Sequence, residues 1–600
     1  MTARAAPGGG AADADAGPGA RRTPPLGPRL LAGGAEFSVW APRAASLAVR
    51  HGGRTVPLAR EERGVWRGTV PGARAGDDYL LVLDGRLARP DPRSRLQPQG
   101  PHGPSRLVDL GGPPARFAPP ALRELVFYEL HCGTFTPEGT FDAAAARLGH
   151  LVDLGVTAVE VMPVAAFPGR RGWGYDGVDL YAVHAAYGGP AAFRRFVDAC
   201  HAVGLAVVLD VVYNHLGPDG NYLAEFGPYF TDRYRTPWGP ALNYDGPGSD
   251  FVRDFVLDNA EQWVAGYGVD GLRLDAVHEI HDRSSVHLLE ALADRVHGRA
   301  PGGVLVAESD LNQPALVGSY GIDTQWADDF HHAVHAALTG ERDGWYRGYL
   351  GLGQLAKALT RGWVFTGQYD PAADRTRGRE PSGLGGERFV VCSQNHDQVG
   401  NRAFGDRLAA LVGPRLDAVA SVLVACSPYL PLLFQGQEWG ETRPFEYFTD
   451  HGPALAEAVR RGRRAEFAAF AWSGAVPDPN DPGSFERSRL DWAKADAPAP
   501  EGLALPVLEL WRRLLRLRRE VPALGNCRRD LARAWADEER RLVVLERDDP
   551  SGSRAVVVAN LSGEPRPLPA AARGLPQLLT TASGASSEEV PGHGSVVHGS

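Results

Sequence analysis

Two patterns of apolar positions divide this chain. Between about residues 30 and 83, apolar residues fall in short alternating runs separated by turn residues: Phe37–Pro42, Leu47–Val49, Val65–Val70 and Tyr79–Leu83. Alternation puts every second side chain on one face of a strand. Short strands punctuated this way predict a small β-sandwich over residues 29–112. The Pro-rich stretch Arg89–Pro120 reads as a linker packed across its boundary. From Leu125 the pattern changes to unbroken apolar runs of strand length, alternating with amphipathic, helix-like stretches. The runs are Leu125–Leu130, Val156–Val161, Leu205–Val212, Val269–Asp275, Gly303–Glu308, a weaker one at Thr324–Ala327, Arg388–Ser393 and Leu430–Phe434. Eight strands interleaved with helices predict an α/β fold, a (β/α)8 TIM barrel, over residues 113–522. The long stretch near 214–248, after the third run, predicts a small inserted subdomain. An amphipathic helix over Leu503–Arg519 and strands at Leu542–Glu546 and Ser553–Asn560 predict a C-terminal β-sandwich over 523–600. Its last twenty residues are rich in Gly and Ser and are expected to fray.

Composition narrows the function classes. Six hundred residues exceed one ordinary core, in keeping with several domains. Residues 1–28 are rich in Ala, Gly and Pro and lack the apolar centre of a signal peptide, so they read as a disordered leader. A formal net charge of -9 with scattered Arg gives no reason to expect nucleic acid or a membrane surface as partner. The run Arg460–Arg464 reads as a solvated helix face, and no apolar run is expected to reach the length of a membrane span. The five Cys are widely spaced, lie mainly in apolar runs and form no CxxC pair. They are expected to be reduced, buried thiols of a cytoplasmic protein with no zinc site. Neither a metal nor a cofactor is expected, and the chain is expected to act as a monomer or a dimer.

The candidate chemistry sits at the strand ends, where barrels of this kind keep their active sites. The fourth run ends in Asp275, with Arg273 two residues earlier and therefore on the same face. That guanidinium would hold the carboxylate ionised, as a nucleophile requires. The third run carries Asp210 and leads to Asn214 and His215, the fifth ends in Glu308, and the seventh leads into Asn395, His396 and Asp397. Carboxylates crowded at one rim repel, so at least one must hold its proton above the usual range. One neutral and one ionised carboxyl is what glycosidic bond cleavage needs. Metal ligation by the same acids is the competing reading. The interleaved Arg273, His215 and His396 disfavour it and suit a neutral polyol instead.

DVVYNH (Asp210–His215), GLRLDAVHEI (Gly271–Ile280), VAESD (Val306–Asp310) and QNHDQVGN (Gln394–Asn401) resemble the four ordered motifs of the α-amylase superfamily of glycoside hydrolases. The resemblance implies Asp275 as nucleophile, Glu308 as acid/base and Asp397 as transition-state stabiliser. It implies that Arg273, His215 and His396 hold the innermost donor sugar, with Tyr175 as the stacking tyrosine. Gln398 and Asn401, in the last motif, join them as sugar-binding candidates.

Further stretches narrow the likeness: Glu129–Phe141, Phe167–Val178, Gln325–His332, Phe434–Gly440, Pro444–His451 and Val476–Pro482. Together they resemble the malto-oligosyltrehalose trehalohydrolase family, from about Phe37 to Trp492. The substrates this implies are maltooligosyltrehalose and maltodextrins, cut at the α-1,4 bond beside a terminal trehalose. Branching and debranching relatives usually carry Gln after the stacking tyrosine, where this chain has Asp176. Asp328, Asp329 and His332 are placed on the acceptor side, and His278 becomes a substrate-contact candidate. For His278 and His281, capping of the next helix is the plainer reading, and for Trp173 and Trp238 a packing role is as good as sugar stacking. A branching or debranching enzyme, or a non-catalytic carbohydrate-binding protein, are the other readings.

Overall fold

Each of the eight apolar runs forms a parallel strand, and the strands close a barrel in chain order. They are β1 (Phe127–Leu130), β2 (Ala158–Val161), β3 (Ala206–Val211), β4 (Gly271–Leu274), β5 (Val304–Ala307), β6 (Thr324–Trp326), β7 (Phe389–Val391) and β8 (Leu430–Phe434). The computed structural model describes residues 17–467, 476–584 and 586–600.

Strand alternation builds the barrel in layers. Phe127, Ala158, Ala206, Val208, Val304, Val306, Trp326, Val390, Leu430 and Leu432 form one buried apolar cluster. Two residues further along their strands, on the same face, stand Glu129, Glu160 and Asp210, and Arg273 is level with Asp210 in the ladder. All four are almost wholly buried. The carboxyl ends of the strands therefore carry a charged layer on an apolar floor.

The N-terminal region is two antiparallel sheets. One holds Gly27–Leu31, Gly34–Trp40, Val65–Pro71 and Ala59–Arg60, and the other Arg54–Pro57, Leu47–His51, Asp78–Leu83 and Leu87–Arg89. Phe37 and Tyr79 meet edge to face across them, centroids 4.9 Å apart. Trp40 stacks on Phe251 of the barrel helix Ser249–Glu261 at 4.5 Å.

Residues 1–16 of the expected leader lie outside the described residues, and residues 17–28 correct that expectation. The Gly19 N–H donates to Asp294 (2.7 Å), Arg21 to Asp258 (2.6 Å) and Thr23 to Asp254 (2.8 Å), and Gly27 already opens a strand. Composition gave no apolar anchor for this segment. Its anchors are polar, supplied by carboxylates on barrel helices.

The long stretch after β3 holds a short helix, Leu223–Phe226, and a two-stranded ribbon, Phe230–Thr236 with Gly239–Leu242. At the C-terminus a five-stranded antiparallel sheet runs in the order Ala532–Asp537, Leu542–Asp548, Arg554–Asn560, Gly594–Gly599, Gln577–Thr580, with a separate pair Arg566–Pro567 and Glu589–Val590. The final residues do not fray as expected. Gly594–Gly599 lies inside the sheet, and Val596 and Val597 are fully buried. Two valines in a Gly/Ser-rich run are enough because strands flank them on both sides.

The helix Leu408–Cys426 is a further correction, being long and apolar enough by length and composition to cross a membrane. Here it packs against the C-terminal strands, the helix Val507–Glu520 and β8, and all its residues from Asp417 to Cys426 are buried. Gly413, at φ 77°, breaks its first turn from the rest. All five cysteines are buried free thiols.

Candidate active site

Arg273 organises the site. It rises from β4, is 0% exposed, and lies over the Trp326 ring at 4.2 Å. Its Nη1 donates to both oxygens of Asp210 (3.0 and 2.8 Å) and to Asp275 Oδ1 (3.0 Å). Its Nη2 stands 2.8 Å from Glu308 Oε2. The shared face expected from the two-residue spacing is therefore real. One buried cation meets three carboxyls from three strands, so it cannot neutralise all of them, and their proton states must separate.

Asp275 is the one kept ionised. Burial works against its charge, but Arg273, His215 and a 2.7 Å hydrogen bond from Asn214 Nδ2 together hold its pKa below the usual value. Glu308 goes the other way. Burial, then the charges of Asp275, Asp397 and Asp328, push it well up against the pull of Arg273. Its Oε2 also accepts from the Ala276 N–H at 2.8 Å. Ala276 adopts φ 37°, a left-handed conformation rare for a residue with a Cβ, where strain marks a functional position. Asp210, dominated by burial and opposed by Arg273, is pushed up to about 6.

The other motif residues close around this trio. The Tyr175 hydroxyl donates to Asp210 Oδ2 (2.6 Å), and its ring stacks on His396 at 5.0 Å. His215 Nε2 lies 3.1 Å from the Tyr175 carbonyl, its Nδ1 pairs with Asn214, and its ring stacks on the exposed Trp238 at 4.2 Å. Burial raises Asp397 despite His396 and Arg273. Asn401 donates to Asp397 and accepts from Arg463 Nη1 at 3.1 Å. Arg463, read from sequence as part of a solvated run, instead packs over Tyr447 and reaches this network. The Gln398 N–H donates to Asn395 at the start of the helix His396–Gly400. Asp176 Oδ2 is 3.4 Å from His451 Nε2.

On the proposed acceptor side the three candidates differ. Asp328 is half-buried and pushed up to about 7 by burial and by Asp397, Asp329 and Asp310. His332 stacks on Tyr349 at 5.2 Å, and burial pushes it down to about 4, leaving a neutral ring. Asp329 corrects the expectation of a substrate contact. It is 0% exposed and accepts from Asn312 (2.8 Å), Tyr349 (2.6 Å), Arg377 (2.9 Å) and the N–H groups of Val364 and Phe365 (2.8 Å each). Its oxygens are committed to holding that loop. His278 sits in the short turn Val277–Glu279, with Nε2 3.8 Å from Asp310, and His281 stacks on Tyr234. Neither caps the next helix, Leu288–Arg299, whose N-cap is His287. Trp173 is core, stacked on Phe445 at 5.3 Å.

Sequence reasoning passed over Glu129 and Asn214 as contacts of the catalytic groups. The alternation rule that found Arg273 would have found Glu129, which stands one residue before the end of β1 and points inward. Among the described residues there is no group of three or more His, Cys, Asp or Glu placed to hold a metal ion.

Residues 114–236 match the family model described as alpha amylase, catalytic domain, a span that reaches from the linker through β3. A malto-oligosyltrehalose trehalohydrolase from Arthrobacter ramosus is 49% identical over 536 residues, covering 85% of this chain and 91% of that one. The enzyme of the same name from Saccharolobus solfataricus is 44% identical, covering 84% and 88%. Among solved structures, a putative alpha amylase from Salmonella typhimurium superposes with a TM-score of 0.88 at 37% identity, covering 96% of this chain and 99% of that one. With almost the full length of these relatives aligned on a closed barrel of the same kind, the chain belongs to the malto-oligosyltrehalose trehalohydrolase family of alpha-amylase-type glycoside hydrolases.

Proposed function

We propose that this enzyme hydrolyses the α-1,4-glucosidic bond beside the terminal trehalose of maltooligosyltrehalose, releasing trehalose and a shortened maltodextrin. The observation that carries the reading is the division of proton states around Arg273: Asp275 held ionised and Glu308 held neutral beside it. Glu308 Oε2 faces Arg273 and the Ala276 N–H, which leaves Oε1 to carry the proton. Glu308 gives that proton to the glycosidic oxygen as the Asp275 carboxylate attacks the anomeric carbon, and trehalose leaves with a new hydroxyl. Glu308, now ionised, takes a proton from water, whose oxygen displaces Asp275 and frees the maltodextrin. Asp397, tied by Asn401, hydrogen-bonds the sugar as positive charge builds at its anomeric carbon. Tyr175, His215, His396 and Arg273 line the donor side, with Gln398 and Asp176 at its edge.

Two displacements retain configuration. Proton NMR of a fresh digest of maltooligosyltrehalose should show free trehalose and, first, the α-anomer of the maltodextrin product. Early β-anomer would sink the nucleophile assignment, and action on glycogen without trehalose release would favour a branching or debranching activity.

Asp328 and His332 are proposed to read the trehalose hydroxyls, because a site built to hydrogen-bond particular hydroxyls rejects ligands that leave its polar groups unpaired. Asp328→Ala or His332→Ala should cost about 1–3 kcal/mol in kcat/KM per lost hydrogen bond. The loss is expected on maltooligosyltrehalose and not on maltodextrin of equal length. Parallel losses on both would make these residues structural.

A further inference from the structure

We propose that Glu129 is a positioning residue of this site: it holds His396 from behind by two hydrogen bonds, so that the ring presents Nε2–H to the bound sugar. The inference rests on the proposed function for the donor role of His396, but its own evidence is separate. Glu129 stands on β1 and His396 at the start of the helix after β7. Glu129 Oε2 accepts the His396 backbone N–H at 2.9 Å, and Oε1 meets Nδ1 at 2.5 Å. Both residues are buried, at 1% and 3% exposure. Among the described residues no hydrogen-bond partner faces Nε2, so the other ring nitrogen is the one left for a ligand. A carboxylate on one ring nitrogen fixes the orientation of the ring and favours its cationic form, in which the other nitrogen also carries a proton.

The charge of Glu129 matters as much as its shape. Its ladder partner on β2 is Glu160, equally buried, and neither oxygen of Glu160 has a hydrogen-bond partner among the described residues. Burial, then repulsion from Glu129, pushes Glu160 well up. Glu160 has no donors facing it, whereas Glu129 has two. The groups that bear on His396 are Glu129 from β1, Arg273 from β4, Asp210 from β3, His131 from the turn after β1 and its own neighbour Asp397. Burial lowers its pKa, yet Glu129 more than offsets burial and the net shift is upward. A cationic His396 can donate from Nε2. A neutral ring with its proton on Nδ1 could only accept there.

Glu129→Gln keeps the size and one acceptor but removes the charge. At neutral pH kcat/KM on maltooligosyltrehalose should fall about tenfold. The loss should shrink as pH drops and His396 regains its proton, moving the alkaline limb of the profile to lower pH. Glu129→Asp should keep the limb near its wild-type position at lower activity. A loss equal at every pH, or a profile parallel to wild type, overturns the proposal. Whether wild type releases trehalose at all tests the proposed function independently. Should Glu129→Gln not fold, NMR titration of the wild-type His396 ring, assigned by its absence from His396→Gln, decides the matter. A pKa above the unperturbed value of about 6.5 is expected, and one at or below it overturns the proposal.

Discussion

Glu308→Gln is expected to lose about 10²–10⁴-fold in kcat/KM on maltooligosyltrehalose, because protonation of a sugar leaving group depends on this one acid. The same variant should keep much of its first step on a maltosyl fluoride, whose leaving group needs little protonation. The second step would then lack its base, so a glycosyl-enzyme should accumulate. Proteolysis and mass spectrometry should find the added sugar on the peptide that contains Asp275. The pH profile supplies a second readout. Glu308 must be protonated at the start, and burial together with Asp275, Asp397 and Asp328 raises its pKa. Wild-type activity is therefore lost on the alkaline side as pH climbs through that raised value, and on the acid side as Asp275, whose pKa is lowered, takes up a proton. Glu308→Gln on the fluoride should lose the part of the alkaline limb that belongs to Glu308 and keep the acid limb. Equal loss on both substrates would show that Glu308 has another role.

Arg273→Leu is expected to be the most damaging single change to the fold of the site. Arg273 is fully buried and contacts Asp210, Asp275 and Glu308 at once. Removing one partner from buried ion pairs costs about 3–5 kcal/mol, because the remaining charges lose their compensation. Folding would then demand that the orphaned carboxyls hold protons, raising their folded-state values above those of the unfolded chain. The folded state binds more protons than the unfolded one in that case, so stability declines as pH rises. Chemical denaturation should show a larger loss near pH 8 than near pH 5. Hydrolysis should vanish with it, since Asp275 would no longer be ionised. Arg273→Lys restores one charge but not a planar fork that reaches several oxygens, so it should recover part of the stability and little activity. A stability loss that does not depend on pH would mean that Arg273 contributes by packing alone, over Trp326.

Most of this architecture is written locally. Seven of the eight barrel strands are near-continuous apolar runs of strand length and the sixth is a weaker one, as burial on both faces of a parallel strand requires. The charged residues that end β3, β4 and β5 follow from strand alternation, as does the pairing of Arg273 with Asp275. Chain order supplies the rest of the barrel, since each strand pairs with its neighbour in sequence.

Tertiary packing decided what local pattern could not. Asp329 and Asp328 are adjacent in sequence and alike in chemistry, yet one is enclosed by five hydrogen-bond donors and the other stays half-buried, because a loop some 35 residues later supplies two of those donors and Arg377, further on, a third. Arg463 joins Asn401, and Glu129 holds His396, across separations that no spacing rule spans. The leader's polar anchors and the buried final strand depend in the same way on partners from distant parts of the chain. Proton states were settled last. The sequence determined that several carboxyls would meet at one rim, from the two-residue period of its strands. Only the closed barrel decided which keeps its charge and which its proton, because that depends on how burial and one shared guanidinium are divided among them.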